Sequence, residues 1–171
     1  SERNDEGTTM HAGQLDRARR TTLTAAAAFL AATAALANAE NLPEAAKRGD
    51  LAVVRQLLER GTSPDTRDSD GVTALMYAAE AGHAPVVRHL LERGADPNLR
   101  DSSYGMTALM VASAEGRTEV VRLLLDAKAD VDAKDNNLGA TALLGAAEYG
   151  HAGVVELLLS NGADANAKDK R

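Results

Sequence analysis

The chain has 171 residues, of which 44% are hydrophobic and 26% charged, with a formal net charge of −6 and no cysteine. This composition is that of a globular protein, and it excludes wholesale disorder, a collagen-like chain and a disulfide-bonded scaffold. The acidic balance argues against non-specific binding to nucleic acid or anionic lipid, since both need a surplus of Lys and Arg, and it leaves a basic or a neutral partner open.

The first forty residues differ from the rest of the chain in their layout. Three arginines within positions 17–20 precede an uncharged, Ala-rich stretch at 23–37, and an Ala-Asn-Ala sequence follows at 37–39. A positive region, a short apolar region and an A-x-A site, in this order, predict a secretory signal peptide cleaved after position 39. We therefore expect residues 1–39 to be a leader and residues 40–171 to be the folded domain.

The sequence leaves the start and the export route of this leader open. Residues 1–9 are polar and acidic, unlike the start of a signal peptide, so we interpret Met10 as the true start. The Arg19-Arg20 pair suggests twin-arginine export, but Thr22 stands where such signals usually carry Phe, so general secretory export is at least as good an interpretation. The alternative to a signal is an Ala-rich helix packed on the domain. A cleaved leader predicts a bacterial periplasmic or a secreted protein, and an uncleaved one a cytoplasmic protein.

Four similar units with a period of 33 or 34 residues follow the leader. One repeated pattern is Gly-x-Thr-Ala-Leu, and another is a Val-Val pair that leads into a Leu-rich run. The first occupies 71–75, 105–109 and 139–143, and the second begins at 53–54, 86–87, 120–121 and 154–155. Such self-similarity at a fixed period predicts a repeat protein.

Each unit predicts a turn followed by two short antiparallel helices. In the second unit Thr73 is the expected N-cap of a first helix whose buried side consists of Leu and paired Ala. Gly82 is expected to end that helix, and Gly94 to end a second helix that carries Val and Leu on one face. Two helices this short cannot bury their apolar sides alone, so we expect neighbouring units to stack around one elongated core.

These patterns resemble those of the ankyrin-repeat family. Units at 68–100, 101–134 and 135–168 match the family's sequence pattern, and 41–67 matches it as a helix pair. The resemblance implies an all-α solenoid of stacked helix-turn-helix units with projecting β-turns or hairpins. The family's T-P-L-H sequence appears here as T-A-L-M or T-A-L-L, so the Pro and the His are absent and weaker helix caps are expected.

Two further departures from the pattern concern turns. Lys128 stands where the other units have Gly, so we expect a left-handed backbone there that costs on the order of 1 kcal/mol. The third and fourth units carry one extra residue in the turn before their first helix. We expect these two loops to project further, with Tyr104 or Leu138 near the tip.

We find no set of catalytic residues in the sequence. The absence of Cys excludes thiolate nucleophiles, and no serine nucleophile elbow, P-loop or dinucleotide fingerprint is present. His83 and His151 occupy the same turn position two units apart, which indicates turn residues rather than metal ligands or general bases. The Asp68-Ser69-Asp70-Gly71 sequence resembles part of a calcium loop, but such a loop needs an acid at Thr66 and a bidentate Glu at Tyr77. We therefore predict no enzymatic activity, no cofactor and no metal site.

The resemblance implies binding of another protein through the concave side, which the family forms from its turns and the exposed ends of the first helices. Transferred by repeat position, the predicted partner-binding residues are Arg67, Asp70, Arg100, Tyr104, Met106, Leu138, Glu148 and Tyr149. The two Tyr, the Met and the Leu are the expected anchors, because aromatic and Met side chains within a polar rim contribute most interface energy. Tyr149 has a second, equally good interpretation, in which its ring covers the first helix of the neighbouring unit. Neither nucleic acid nor stable membrane insertion after cleavage of the leader is expected.

Two alternative functions remain at the level of sequence. The domain could be an accessory subunit that stabilises a periplasmic enzyme, or the binding arm of a longer enzyme that continues beyond Arg171. The second helix of the fourth unit is predicted without a polar outer face, and residues 169–171 begin the pattern of a further unit. The partner's identity, the extent of the chain and the oligomeric state stay open.

Overall fold

The computed structural model describes residues 41–170, which form eight helices arranged as four helix pairs. The helices are α1 Leu42–Arg48, α2 Leu51–Glu59, α3 Ala74–Ala81, α4 Ala84–Glu92, α5 Ala108–Ala114, α6 Thr118–Asp126, α7 Ala142–Glu148 and α8 Ala152–Ser160. This part of the chain has no β-strand, only an isolated antiparallel bridge between Arg67 and Thr73. The predicted all-α fold is thereby confirmed. The predicted signal peptide and the expected start at Met10 lie outside the described residues.

The first helices of the pairs form one layer and the second helices form another. α1, α3, α5 and α7 pack side by side in chain order, α2, α4, α6 and α8 do the same, and each first helix packs against its own second helix. One continuous cluster of buried residues runs through all four pairs and consists almost entirely of Leu, Val and Ala. These small side chains let short helices approach closely, which explains an aromatic content of only 2%. None of the helices at 41–170 is long and apolar enough to span a bilayer.

Buried threonines begin the first helices of the second, third and fourth units. Thr73, Thr107 and Thr141 each accept, at Oγ1, a hydrogen bond from the backbone N–H three residues later, at 3.3 to 3.4 Å. These are the predicted N-caps. In α3 the Sδ of Met76 also accepts the N–H of Thr73 at 3.5 Å. The methionine that stands in place of the family's histidine therefore takes part in this cap.

A side chain in the turn between the two helices of a unit joins that unit to the preceding one. The three contacts are His83 Nε2 to Lys47 O at 3.2 Å, Arg117 Nε to Glu80 O at 3.0 Å and His151 Nε2 to Ala114 O at 2.8 Å. Each of these carbonyls lies in the last turn of a first helix, where it lacks a partner within the helix. The two histidines are thus turn residues, as predicted, and each also caps the first helix of the preceding unit.

The glycines beside these contacts allow the close approach. At Gly116, φ is +68° and an added Cβ would lie 2.6 Å from Nδ1 of His151. Gly150 has the same left-handed backbone, with φ at +77°, but nothing lies within 4 Å of its Cβ position. The two glycines therefore share the backbone requirement and differ in the space around them.

The last helix pair has a less buried outer face than the pairs before it. Val121 in α6 is fully buried, whereas Val155 at the same position of α8 is half-buried and Leu159 is 41% exposed. Lys170 nevertheless continues the loop pattern of the repeat, because its backbone N–H donates to Leu138 O at 2.9 Å. The exposed residues of α8 are Ala152, Gly153, Glu156, Leu159 and Ser160, so polar groups accompany the apolar ones.

The backbone of Lys128 is left-handed, as its repeat position predicts. Its φ of +67° is the one positive value among the described residues other than glycine. In an L-residue this conformation brings Cβ close to the carbonyl oxygen, and glycine avoids that contact.

Replacing Lys128 with Gly is expected to raise the free energy of unfolding by about 1 kcal/mol, because the strain is relieved. For a domain of this size the melting temperature should rise by roughly 4 °C, measured by thermal unfolding followed by circular dichroism. Lys128→Ala is the matched control, since it removes the charge but keeps the Cβ. An equal rise in both variants would show that charge, and not backbone strain, destabilises this turn.

Candidate binding surface

One aspartate organises each of the two longer loops. The carboxylate of Asp101 accepts hydrogen bonds from the backbone N–H groups of residues 103–106 at 2.6 to 3.2 Å. Asp135 does the same for residues 137–140 at 2.7 to 3.2 Å. Hydrogen bonds to a charged acceptor are stronger than those between neutral groups. Each loop is therefore held in a defined conformation that fixes the position of its tip.

The shorter loop of the second unit uses a tyrosine side chain as well. Asp68 Oδ1 accepts the N–H groups of Asp70 and Val72, and its Oδ2 accepts the hydroxyl of Tyr77 at 2.6 Å. The hydrogen bond to Asp68 is the main cause, and burial the second, of a pKa of Tyr77 that is raised to about 12. The same hydrogen bond lowers the pKa of Asp68. The Nζ of Lys47 lies 5.1 Å from the centroid of the Tyr77 ring. The Tyr77 side chain is thus held by Asp68 at its hydroxyl and by Lys47 over its ring.

This shift predicts an alkaline titration that depends on Asp68. In a Tyr104→Phe/Tyr149→Phe variant, Tyr77 is the remaining tyrosine of the three in the chain, so ultraviolet absorbance reports its ionisation alone. We expect a midpoint near pH 12 while the domain stays folded. Adding Asp68→Asn should lower the midpoint towards about 10, the value of an unperturbed tyrosine.

The same shift gives the sign of the pH dependence of stability. Because the pKa of Tyr77 is higher in the folded state than in the unfolded state, its contribution is complete below about pH 10 and is lost between about pH 10 and 12. A titration midpoint that does not change in the Asp68→Asn variant would contradict the role of this hydrogen bond.

The predicted contact residues Arg67 and Arg100 join neighbouring loops. Nη1 of Arg67 donates to Arg100 O at 2.7 Å, and Nη1 of Arg100 donates to Lys134 O at 2.6 Å. The backbone of the predicted residue Asp70 takes part too, since its carbonyl accepts the N–H of Ser102 at 3.2 Å. All three predicted side chains are exposed. The sequence does not indicate that the two guanidinium groups bind the loop of the following unit.

Four of the eight predicted contact residues line one groove. It lies between the loop of the fourth unit and helices α5 and α7, and its volume is about 210 Å³. The four are Met106, Leu138, Glu148 and Tyr149; the lining also includes Met110, Ala114, Asp135, Ala140, Thr141 and Gly145.

The groove is open at Gly145 because this residue has no side chain. The same position of the repeat is Tyr77 in α3 and Val111 in α5, and both are half-buried. An added Cβ at Gly145 would lie 3.6 Å from the Cβ of Ala114, which is ordinary contact. Met110 and Thr141, each only 3% exposed, are the most buried of the lining residues. Aligning the units position by position would have revealed this missing side chain.

Two tyrosines are the most exposed large apolar side chains in the described part of the chain. Tyr104 is 60% exposed and Tyr149 is 66% exposed, ahead of Leu159 in α8. Tyr104 lies in its loop as predicted. Leu138, by contrast, is half-buried and lines the groove together with Met106. Leu138 therefore contributes to the groove rather than projecting from its loop.

Carboxylates lie along the helix ends of this surface. Glu80, Glu115 and Glu148 are exposed and lie at the C-terminal ends of α3, α5 and α7. The partial negative charge of the helix dipole adds to theirs at these ends. Two cations lie near Glu80 and Glu115: Lys47, and Arg117, whose Nη2 is 4.0 Å from Oε2 of Glu115 and whose Nε donates to Glu80 O. The surface is thus apolar in the groove and acidic along the helix ends.

The comparison with protein families agrees with this architecture. The family model for ankyrin repeats (3 copies) matches residues 42–135 and 101–169, which include all the helices at 41–170. No curated protein matches the chain. Within residues 41–170, no group of three or more His, Asp or Glu could hold a metal ion. Ankyrin repeats are generally protein–protein interaction modules and typically not enzymes. The match spans well over half of the chain, and the chain therefore belongs to the ankyrin-repeat family.

Proposed function

We propose that the chain binds a protein partner through the surface made of the loops at 68–72, 101–106 and 135–140 and helices α3, α5 and α7, which we call the loop–helix surface. The observation that carries the proposal is that Tyr104, Tyr149 and the open groove all lie on it. Aromatic residues and Met are enriched where protein interfaces are buried, within a rim of polar residues. The loop–helix surface has this composition.

The hydrogen bonds within and between the loops support the same proposal. Asp101 and Asp135 each bind four backbone N–H groups, and Tyr104 O accepts the N–H of Asn136 at 2.7 Å. A binding surface that is ordered before the partner arrives loses less conformational entropy on association. The loops are therefore suited to binding without rearrangement.

The two turn histidines, which were considered for catalysis, make contacts between units. The ring nitrogens of His83 and His151 contact helix carbonyls at 3.2 and 2.8 Å. Both rings are therefore committed to contacts between units. We propose that the domain acts by binding and not by catalysis.

A double replacement of the two tyrosines tests the proposed surface. We expect Tyr104→Ala/Tyr149→Ala to weaken capture of the partner at least tenfold, because truncating aromatic anchors at an interface costs about 2 kcal/mol or more each. The full chain, immobilised, is used to recover the partner from extracts of the source cells, and the affinity of the recovered protein is then measured by surface plasmon resonance.

Leu159→Ala is the matched control for this experiment. Leu159 is the third exposed large apolar residue, but it lies on α8, outside the loop–helix surface. We expect this variant to bind like the parent chain. Undiminished binding by the double tyrosine variant, with unchanged helix content, would contradict the proposal.

We propose in addition that the leader directs the protein out of the cytoplasm. Support comes from the order of positive, apolar and A-x-A regions before Glu40. N-terminal sequencing of protein recovered from the periplasm or the medium should give Glu40 as the first residue. A mature chain that begins earlier would contradict cleavage after Ala39.

A further inference from the structure

We infer that the groove beside Gly145 binds one long aliphatic side chain of a partner segment that carries Lys or Arg next to it. The inference rests on the proposed protein-binding function and adds the chemistry of the bound segment.

The apolar part of the inference follows from the groove lining. Met110 is buried, Met106 and Leu138 are half-buried, and Ala114 adds a small side chain. Met side chains adapt to the shape of what they contact, because they are unbranched and polarisable. A cleft bounded in this way favours a flexible aliphatic side chain such as that of Leu or Met.

A second groove, of about 340 Å³, lies beside Tyr77, but its lining is largely charged: Lys47, Glu80, Glu115 and Arg117. Between the first and second units, the corresponding position holds Tyr77, whose ring Lys47 covers at 5.1 Å. Between the second and third units it holds Val111, which is half-buried. The third and fourth units have Gly145 at this position, and a groove of about 210 Å³ lies there. An aliphatic anchor is therefore expected at this junction and not at the other two.

The basic part of the inference follows from charge complementarity. Glu148 lines the groove, and Glu115, whose Oε2 lies 4.0 Å from Nη2 of Arg117, lies at the end of the neighbouring helix. Tyr149 adds a ring that is 66% exposed, over which an ammonium or a guanidinium group can stack. The net charge of −6 for the whole chain attracts a basic segment in the same sense.

Methionine methyl groups provide the reporter for a direct test. The chain has four Met, so a sample of the full chain labelled with ¹³C at the methyl groups gives a simple spectrum. Met106 and Met110 line the groove, whereas Met76 lies in α3 and reports on unspecific effects. The probe is the peptide acetyl-Ala-Leu-Lys-Lys-Ala-amide. We expect saturable shifts of the two groove signals and no comparable shift at Met76.

Two control peptides separate the two parts of the inference. Acetyl-Ala-Ala-Lys-Lys-Ala-amide lacks the aliphatic anchor, and acetyl-Ala-Leu-Glu-Glu-Ala-amide reverses the charge. We expect each to bind at least tenfold more weakly than the probe. Equal binding of the Ala peptide would overturn the role of the anchor, and equal binding of the Glu peptide would overturn the role of the charge.

A variant that fills the groove completes the test. Gly145→Val gives α7 the residue that α5 has at position 111, so the helix is expected to fold, which circular dichroism verifies. Gly153→Ala is the matched control, because nothing lies within 4 Å of its Cβ position in α8. We expect at least tenfold weaker binding in the Gly145→Val variant and unchanged binding in the control.

The outcomes distinguish this inference from the proposed function on which it rests. An absence of saturable shifts at Met106 and Met110, or undiminished binding by Gly145→Val, would overturn the groove specificity. If the tyrosine double variant still loses the natural partner, the proposal of protein binding through the loop–helix surface stands, and only the groove specificity is wrong. If that variant keeps the natural partner, the proposed function itself fails.

Discussion

Replacing Leu124 with Ala is expected to lower the free energy of unfolding by about 3 kcal/mol. Leu124 is fully buried in α6 of the third unit, and it belongs to the continuous core of Leu, Val and Ala. Truncating a fully buried leucine removes its transfer free energy and leaves a cavity, with typical costs of about 2–5 kcal/mol. Short helices held by neighbours on both sides have little freedom to close such a cavity.

Urea unfolding followed by circular dichroism measures this effect, and Leu159→Ala provides the same chemical change at a 41% exposed position of α8. We expect the exposed variant to lose less than about 1 kcal/mol, because much of that side chain already contacts water. In a repeat protein each unit is stabilised mainly by its direct neighbours. A defect in the third unit should therefore also broaden the unfolding transition in urea, because the units on either side of it no longer unfold together. Equal losses in the two variants would mean that burial in the core does not govern stability.

The fold was predictable because its signals are local and repeat along the chain. Thr73 and Gly82 mark the start and the end of a first helix by cap chemistry that needs no knowledge of the neighbouring unit. Lys128 was predicted to be left-handed by comparison with the glycines at the same repeat position, and its φ is +67°. Each of these predictions depends on one position and its counterparts in other units.

The candidate site was only partly predictable because it depends on contacts between units. Arg67 and Arg100 were predicted to be exposed contact residues, and they are exposed, but each binds a carbonyl 33 or 34 residues away. Those bonds arise from the stacking of loops, which no single unit specifies. The groove beside Gly145 was missed for a related reason. A missing side chain at position 145 becomes part of a groove only because α5, with Ala114 opposite it and Met110 in the same lining, packs beside α7.

Replacing Gly116 with Ala is expected to lower the free energy of unfolding by about 2–3 kcal/mol. Two effects add. An L-residue at a φ of +68° costs roughly 1–2 kcal/mol. In addition, the new Cβ would lie 2.6 Å from Nδ1 of His151, so the imidazole has to move. That movement breaks the contact between His151 Nε2 and Ala114 O at 2.8 Å, which caps α5, at a cost of about 1 kcal/mol.

Gly150→Ala separates these two effects, because Gly150 shares the left-handed backbone and has nothing within 4 Å of its Cβ position. We expect it to lose only the backbone contribution, about 1–2 kcal/mol. The difference between the free energies of unfolding of the two variants, measured in urea, therefore gives the contribution of the histidine contact to the stability of one junction between units. His151→Ala in the Gly116→Ala background should add little, because the contact is already lost. If the two glycine variants lose the same amount, the turn glycines serve backbone conformation alone, and stacking of the helix layers rather than the imidazole contact holds neighbouring units together.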